Sequence, residues 1–545
     1  MITVKVEGKE KQFNNNVSYY EICKSFGYDN KILGAKVNNE IFALDEKINN
    51  NADIKFFDVT DLNGHKMYKS ALMFIFEVAL RETYPELEIT YQHSVPQGFL
   101  GEIIGNKIIS REDLIKIRNN MAKIISEDIP FKKLNVKKKE AIKYYESVGE
   151  YEKADNIQNI SDKIITFYEL KEHLNFFYTF MPYSTGCITN YDIVYLGNNR
   201  LVFVLPNQYT KELVPEYTHH DNIINSFLEG EHWLETQHMT YVTEINKTVG
   251  TGQIKEFIKS SELVFKMYIS RIVNNVINNK DIKFVLIAGP SSSGKTTTTK
   301  VFSSFLRAHG FDPIPISTDD FFCEREETPR DADGNYDFEC LGAIDLELFN
   351  NTLNKLLNGE EVELPSYNFT SGKKEYKGNY VKLTDKSIIL IEGLHTLNDE
   401  LLPMIENKLK YKIYLSPFLS LNIDKHNYVS TIDLRLIRRI VRDNRTRGYD
   451  VNKTIDAWQS VRNGEEKYIF PYIHQANTII NTSFPFELGV LKVYVEPLLY
   501  SVSVNSKYYE EARRLLNFLK IFYTIPSEYV GKDSVLREFI GGLDD

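Results

Sequence analysis

FVLIAGPSSSGKTTTT, residues 284–299, is the stretch from which the fold can be read. An apolar run, Phe284 to Ala288, stops at Gly289, and Gly294, Lys295 and Thr296 follow at the spacing G-x-x-x-x-G-K-[ST] before a helical pattern opens. Glycines let a loop wrap closely around phosphate oxygens, while backbone N–H groups and a helix N-terminus supply partial positive charge. A lysine at position 295 reaches the β- and γ-phosphates, and a hydroxyl at 296 ligates Mg²⁺. Gly289, Pro290, Ser291, Ser292, Ser293, Gly294, Lys295, Thr296 and Thr297 are therefore expected to hold a nucleoside triphosphate with Mg²⁺.

Reading on from the loop, a helix is predicted over Thr297 to His309, stopping at Gly310, and a second apolar strand over Pro313 to Thr318 ends in Asp319-Asp320. Strand, helix, strand at this spacing is a βαβ unit, and parallel sheets place ligands at the carboxyl ends of their strands. An aspartate there can accept the proton of an attacking hydroxyl. Both aspartates end the same strand, so position alone does not choose between them. A third buried strand, Ser387 to Ile391, delivers Glu392 to the same edge, where a carboxylate can hold the Mg²⁺ shell. Further strands are predicted at Tyr411 to Ser416 and Thr478 to Asn481, whereas Phe486 to Tyr500 reads as extended chain and Tyr508 to Phe522 as a helix.

Between the last two sheet strands lie six arginines in 13 residues, Arg435 to Arg447. Leu434, Ile437 and Val441 mark one face of a helix, and Arg435, Arg438 or Arg439, Arg442 and Arg445 mark the other. In a chain of net charge −10 this exceeds what solubility requires. The guanidinium fork matches phosphate oxygens and can neutralise charge on a transferring phosphoryl group beneath a closing lid.

The 545 residues imply two to four domains, and the acidic balance argues against a non-specific nucleic-acid binder. Four scattered cysteines without a CxxC spacing indicate neither a disulfide framework nor a zinc knuckle, which suits a reducing cytoplasm. The start, MITVKVEGKEK, alternates like a strand and unlike a signal peptide, and Ala71 to Leu80 is too short to span a bilayer and contains Glu77. The histidines at 219, 220, 232 and 238 follow no metal-ligand spacing. Lys132, Lys133 and Lys137 to Lys139 read as a solvated helix face, with RNA contact as the alternative. Gln253 to Asn279 carries a broad apolar stripe at helical spacing and is expected to pack between two docked halves.

The N-terminal residues run strand 2–6, helix 17–26, strands 31–37 and 40–44 around Asn38-Asn39, and strand Asp53 to Val59. This order resembles a TGS domain, the ubiquitin-like module at the front of threonyl-tRNA synthetases. Met67 to Tyr84, and Ser110 to Gly149 with its stripe Leu114, Ile117, Met121, Ile124, Ile125, continue the resemblance into the synthetase editing domain. That family's editing site uses an HxxxH pair and a later Cys and His. The segment Tyr68 to Met73 has no histidine and Leu174 to Gly186 has neither residue, so editing chemistry is expected to be absent.

The C-terminal motifs GPSSSGKT, DDFF, DFE, PSYNF, IEG, RLIRRIVRD and RG resemble the uridine kinase and phosphoribulokinase family over residues 281–482. The resemblance implies ATP as phosphoryl donor with Mg²⁺, Lys295 on the phosphates, Asp319 as general base, Thr296 and Glu392 at the metal, and Arg439, Arg442 and Arg447 in the lid. It places Phe338 and Glu339 on the acceptor's ribose and Tyr367 on its base. Gly372 and Cys340 stand where the family has base-contacting histidines, and Phe322 and Tyr449 also depart from its pattern. The expected acceptor is uridine or cytidine. Alternatives are another small molecule such as a sugar phosphate, or a regulatory, RNA-associated role with little turnover.

The whole is thus expected to be a multi-domain α/β protein: a TGS-like β-grasp over 1–60, an α+β editing-domain-like unit over 61–245, a connecting helix within 246–280, a P-loop NTPase parallel sheet flanked by helices over 281–500, and a helix with tail over 501–545. A cytoplasmic location without membrane partner is expected, a homo-oligomer is left open, and nucleic acid is a partner only through the N-terminal half.

Overall fold

A computed structural model describes residues 1–160, 162–331, 334–369 and 371–542. Its central feature is a five-stranded parallel sheet in the order Asp312–Ser317, Ser387–Gly393, Phe284–Ala288, Lys410–Ser416, Thr478–Asn481. Phe284–Ala288 and Ser387–Gly393 are buried along their whole length, as strands covered on both faces must be. The register pairs Ile287 with Glu392 and Ser317 with Glu392, so three strands deliver their following residues to one edge.

One face of this sheet is covered by the helix Lys295–Ala308 and by a 25-residue helix, Ile254–Asn278. Ile258, Ile269, Ile272, Val273 and Val276 of the long helix share a core with Val285, Ile287, Ile413 and Leu415, so the expected connector is an integral layer of the C-terminal body. The other face carries Phe349, Leu353 and Leu356 of the helix Leu346–Leu357, packed on Phe284, Leu286, Ile389 and Ile391.

The first 57 residues form a five-stranded sheet in the order Lys9–Phe13, Ile2–Val6, Ala52–Phe57, Gly34–Val37, Glu40–Ala43, with Ile2–Val6 parallel to Ala52–Phe57 and the helix Tyr19–Ser25 on top. Asn38 and Asn39 both take positive φ, the geometry that a two-residue hairpin turn matched to strand twist demands. The helix Leu62–Thr83 follows, buried on nearly every side from Met67 to Leu80. It is flanked by a four-stranded sheet, Asp192–Gly197, Arg200–Val204, Gly98–Ile104, Glu88–Val95, and by the three strands Lys132–Lys137, Ile164–Leu170, His173–Asn175.

Three expectations are corrected. Glu487–Tyr500 is a helix, not extended chain. Its β-branched residues favour strand, but Leu488, Gly489, Val490 and Leu491 are all buried, and the helical turn lets consecutive residues face different neighbours. The lysine run begins as the strand Lys132–Lys137, and helix starts only at Lys138. Lys133 is not a free cation: it pairs with Asp45 at 3.1 Å and Glu46 at 3.3 Å, joining the β-grasp unit to its neighbour. Finally, the arginine stripe expected to face phosphate is split, with Arg435 and Arg438 buried on carboxylates, as described below.

The halves are tightly joined. A hairpin inserted in the C-terminal body, Asn422–Asp424 with Asn427–Tyr428, reaches into the N-terminal half. Tyr91 N and Thr90 Oγ1 donate to Lys425 O at 2.9 and 3.1 Å, and Asn156 Nδ2 donates to Ile423 O at 2.7 Å. Beside it, Lys153 Nζ donates to His426 Nδ1 at 2.6 Å and to Asn175 Oδ1 at 2.7 Å. A cavity of about 990 Å³ opens between the halves, lined among others by Lys66, Met73, Tyr178, Phe418 and Trp458. No helix among the described residues is long and apolar enough to cross a membrane.

Candidate active site

The loop after Ala288 turns back on itself because its backbone can approach closely. A Cβ on Gly289 would lie 2.7 Å from Leu415 O, and Gly294, at φ +87°, starts the helix Lys295–Ala308 from a left-handed conformation. Lys295 Nζ donates to Gly289 O at 2.9 Å and so lies across the loop mouth. The Ser292 and Ser293 hydroxyls are buried and have no hydrogen-bond partner. Orphaned donors and a lysine beside a helix N-terminus fit the oxygens of a polyphosphate.

Thr296 Oγ1 donates to Glu392 Oε1 at 3.0 Å, so the two expected Mg²⁺ residues are adjacent. Burial, reinforced by the charge of Asp319 and opposed by Lys295, lifts the Glu392 carboxyl to about 7. Hydroxyl and carboxylate oxygens at the foot of the loop are the hard donors that Mg²⁺ takes, so the donor set fits the ion.

Asp319 and Asp320 point differently. Asp320 Oδ1 accepts the backbone N–H of Tyr367 at 3.2 Å, and burial raises its carboxyl. Asp319 is exposed, and its charge acts on Glu392, Glu339, His395 and Arg447. Next to it an aromatic group gathers: Phe322 lies 5.6 Å from Tyr367 and 6.4 Å from Phe338, and Tyr367 lies 5.2 Å from Phe369, all edge-on. Tyr367 is buried with its hydroxyl unpartnered, while Phe338 is 39% exposed. Burial, together with the charges of Glu465 and Asp319, lifts Glu339 to about 7 against the pull of Arg439. Gly464 lets it in, since a Cβ there would stand 2.5 Å from Glu339 Cβ. Gly372, at φ +71°, packs on Arg325, whose guanidinium reaches Phe369 O.

The arginine helix, Thr431–Arg447, is buried from Asp433 to Val441. Arg435 and Arg438, read as part of a phosphate-facing stripe, are structural: Arg435 forms a bidentate pair with Glu465 and donates to Ser291 O at 3.0 Å, and Arg438 pairs with Glu487 at 2.6 Å and donates to Ser292 O at 3.3 Å. They brace the outside of the loop. The amphipathic split fails because arginines hold buried carboxylates as readily as they face water.

Arg439, Arg442 and Arg447 converge on one carboxylate, the buried Asp443, at 3.2, 2.8 and 3.7 Å. Arg439 Nη1 also reaches Ser291 Oγ at 2.8 Å, and burial lowers its pKa to about 10. The structure thus brings the phosphate loop, Glu392, Asp319, Phe338, Glu339 and three arginines to one sheet edge. Sequence reasoning gave no role to Asp443, Glu465, Glu487 or His395, whose Nε2 meets Glu339 O at 2.9 Å. Asp443 was legible in principle, being the one acid inside the arginine run that begins at Arg435.

Residues 284–485 match the family model for the Phosphoribulokinase / Uridine kinase family. A uridine kinase of Ligilactobacillus salivarius is 27% identical over 205 residues, covering 37% of this chain and 87% of that protein. The N-terminal half matches threonine–tRNA ligases; that of Clostridioides difficile is 29% identical over 166 residues, 30% of this chain. The chain spans about a quarter of that ligase's length, 26%. Among solved structures, a possible uridine kinase from Bacillus stearothermophilus aligns over 37% of this chain and 89% of its own at 21% identity, with a TM-score of 0.25. Over residues 284–485, then, this chain is similar to the Phosphoribulokinase / Uridine kinase family, and over its N-terminal half to threonine–tRNA ligases.

Proposed function

We propose that the protein transfers a phosphoryl group from ATP to a hydroxyl of a small molecule, most simply the 5′-hydroxyl of uridine or cytidine. The observation that supports this best is the meeting, at one sheet edge, of a phosphate-shaped loop with an exposed aspartate and three arginines. In this reading the loop residues from Gly289 to Thr297 and Lys295 hold the triphosphate. Asp319, free of the hairpin contact that occupies Asp320, takes the hydroxyl proton. Arg439, Arg442 and Arg447 turn from Asp443 toward the transferring group and exclude water. Phe338, Glu339 and Tyr367 orient the acceptor. Thr296 and Glu392 would hold Mg²⁺, which supplies charge neutralisation at the phosphates. The domain limits 1–60, 61–245, 246–280, 281–500 and 501–545 are proposed as working boundaries, with the N-terminal half as a binding or regulatory unit.

The test is turnover of ATP and Mg²⁺ with a panel of nucleosides and sugar phosphates, using the intact chain and Asp319→Asn. Conversion of uridine or cytidine to the monophosphate, lost in the variant, is the expected result. Turnover of a sugar phosphate alone would move the acceptor to that class, consistent with Gly372 and Cys340. ATP binding without turnover of any acceptor would overturn the kinase reading.

A further inference from the structure

The C-terminal segment, REFIGG at 537–542, has no part in the reaction proposed above, yet it lies on the phosphate loop. Glu538 Oε2 accepts two hydrogen bonds from Thr297, from the backbone N–H at 3.3 Å and from Oγ1 at 3.2 Å. Thr297 stands in the first turn of the helix that begins at Lys295, where N–H groups have no partner within the helix and attract anions. The segment is built to remain there. Val535, Leu536, Phe539 and Ile540 are buried in the main C-terminal core, and Val535 leaves no room for a side chain on Gly294.

Both ends of the turn are also held by arginines. Arg445, on the arginine helix, donates to Glu538 O at 2.8 Å and Phe539 O at 3.0 Å. Arg537 donates to the carbonyls of Val530, Ser527 and Gly531 at 2.6, 2.9 and 3.2 Å. Gly541, at φ +87°, lies against Arg445, so the chain can leave the turn without a side chain striking the guanidinium. The carboxylate also contributes to raising the Glu392 carboxyl.

We infer that Glu538 is a tethered stand-in for a phosphate: the C-terminal turn places a carboxylate on two donors that a bound polyphosphate requires, so that nucleotide and Glu538 exclude one another. The apolar residues keep the backbone docked, and only the Glu538 side chain has to swing out when nucleotide enters. The protein therefore competes with its own ligand, and its apparent affinity is the intrinsic one reduced by the fraction of molecules in which Thr297 is free. This inference rests on the reading of the phosphate loop as a nucleotide site.

The experiment is calorimetric titration of the full-length chain, its Glu538→Gln and Glu538→Ala variants, and Lys295→Ala, with Mg²⁺-ATP and with inorganic tripolyphosphate. Removal of a charge-assisted competitor should tighten both ligands by about tenfold in Glu538→Ala, with Glu538→Gln in between. In the absence of ligand the Thr297 amide should exchange faster with solvent deuterium in Glu538→Gln, which preserves shape if the alanine variant fails to fold. Equal or weaker binding by the Glu538 variants, with wild-type binding that depends on Lys295, overturns the inference and leaves the nucleotide reading intact. Binding by none of the proteins overturns both.

Discussion

At the scale of single residues, the two adjacent aspartates show how one hydrogen bond divides labour. Asp320 anchors the hairpin backbone at Tyr367 and Asp319 stands open to the site. Asp319→Asn is expected to lower turnover by roughly 10²–10⁴-fold while ATP binding persists. Asp320→Asn should leave more activity and cost about 1 kcal/mol of stability. Loss of turnover confined to Asp320→Asn would reverse the assignment. His426 carries a pH effect of the opposite kind from a catalytic one. Burial pushes its pKa down to about 4, and its Nδ1 accepts from the Lys153 ammonium, so the folded protein holds the neutral ring. A histidine depressed on folding adds stability above its unfolded value, about 6.5, that is lost as pH falls toward 4. Melting in buffers between pH 7 and pH 4.5 should therefore show a decline that is smaller by about 2–3 kcal/mol in His426→Gln, with His65, lowered by burial in the same way, contributing to both proteins. A variant with the same pH slope as the wild type would remove His426 as its source.

At the scale of elements, the arginine helix is more a keel than a surface lid over its first ten residues. Arg438 and Glu487 are both fully buried, and each needs the other because an unpaired ion in that environment is costly. Arg438→Met alone should destabilise by about 3–5 kcal/mol, and adding Glu487→Leu should restore most of the loss, since a packed apolar pair is close to neutral relative to the ion pair. Denaturant unfolding of the single and double variants measures this. A double variant no more stable than the single one would show that the loss comes from the loop carbonyls Arg438 also holds, at Ser292 and Thr482.

For the whole molecule, the hairpin around His426 and the helix Ile254–Asn278 make the halves mutually dependent. Buried polar groups from both sides complete one network: Lys153 and Asn175 from the N-terminal half, His426 and Asp424 from the other. Asn175 Nδ2 also donates to Glu77 at 2.6 Å. Separation would expose these charges without partners. Calorimetry of the intact chain should accordingly show one cooperative transition, and Lys153→Met should lower it as a unit. Two resolved transitions would mean that the halves are only tethered. The same network gives the N-terminal half a physical route to the five-stranded parallel sheet, because the hairpin leads directly into the arginine helix at Thr431.

The sequence alone determined the phosphate loop, the places along the chain of the strands that feed its edge, and the β-grasp hairpin at Asn38-Asn39. Each is set locally: by glycines that tolerate close approach or positive φ, by short β-branched runs, and by a fixed spacing between them. What only the tertiary structure decided is which charged residues are spent on packing. Arg435 and Arg438 each lie four residues before Arg439 and Arg442 respectively, and nothing in their spacing reveals that their carboxylate partners, Glu465 and Glu487, approach from helices up to 49 residues away. Glu487–Tyr500 turned helical for the same reason, since burial of its whole first turn, with Val495 and Leu499 beyond it, outweighs strand propensity. The docking of Glu538 on Thr297, 241 residues apart in the chain, is likewise a fact of packing that no local pattern encodes.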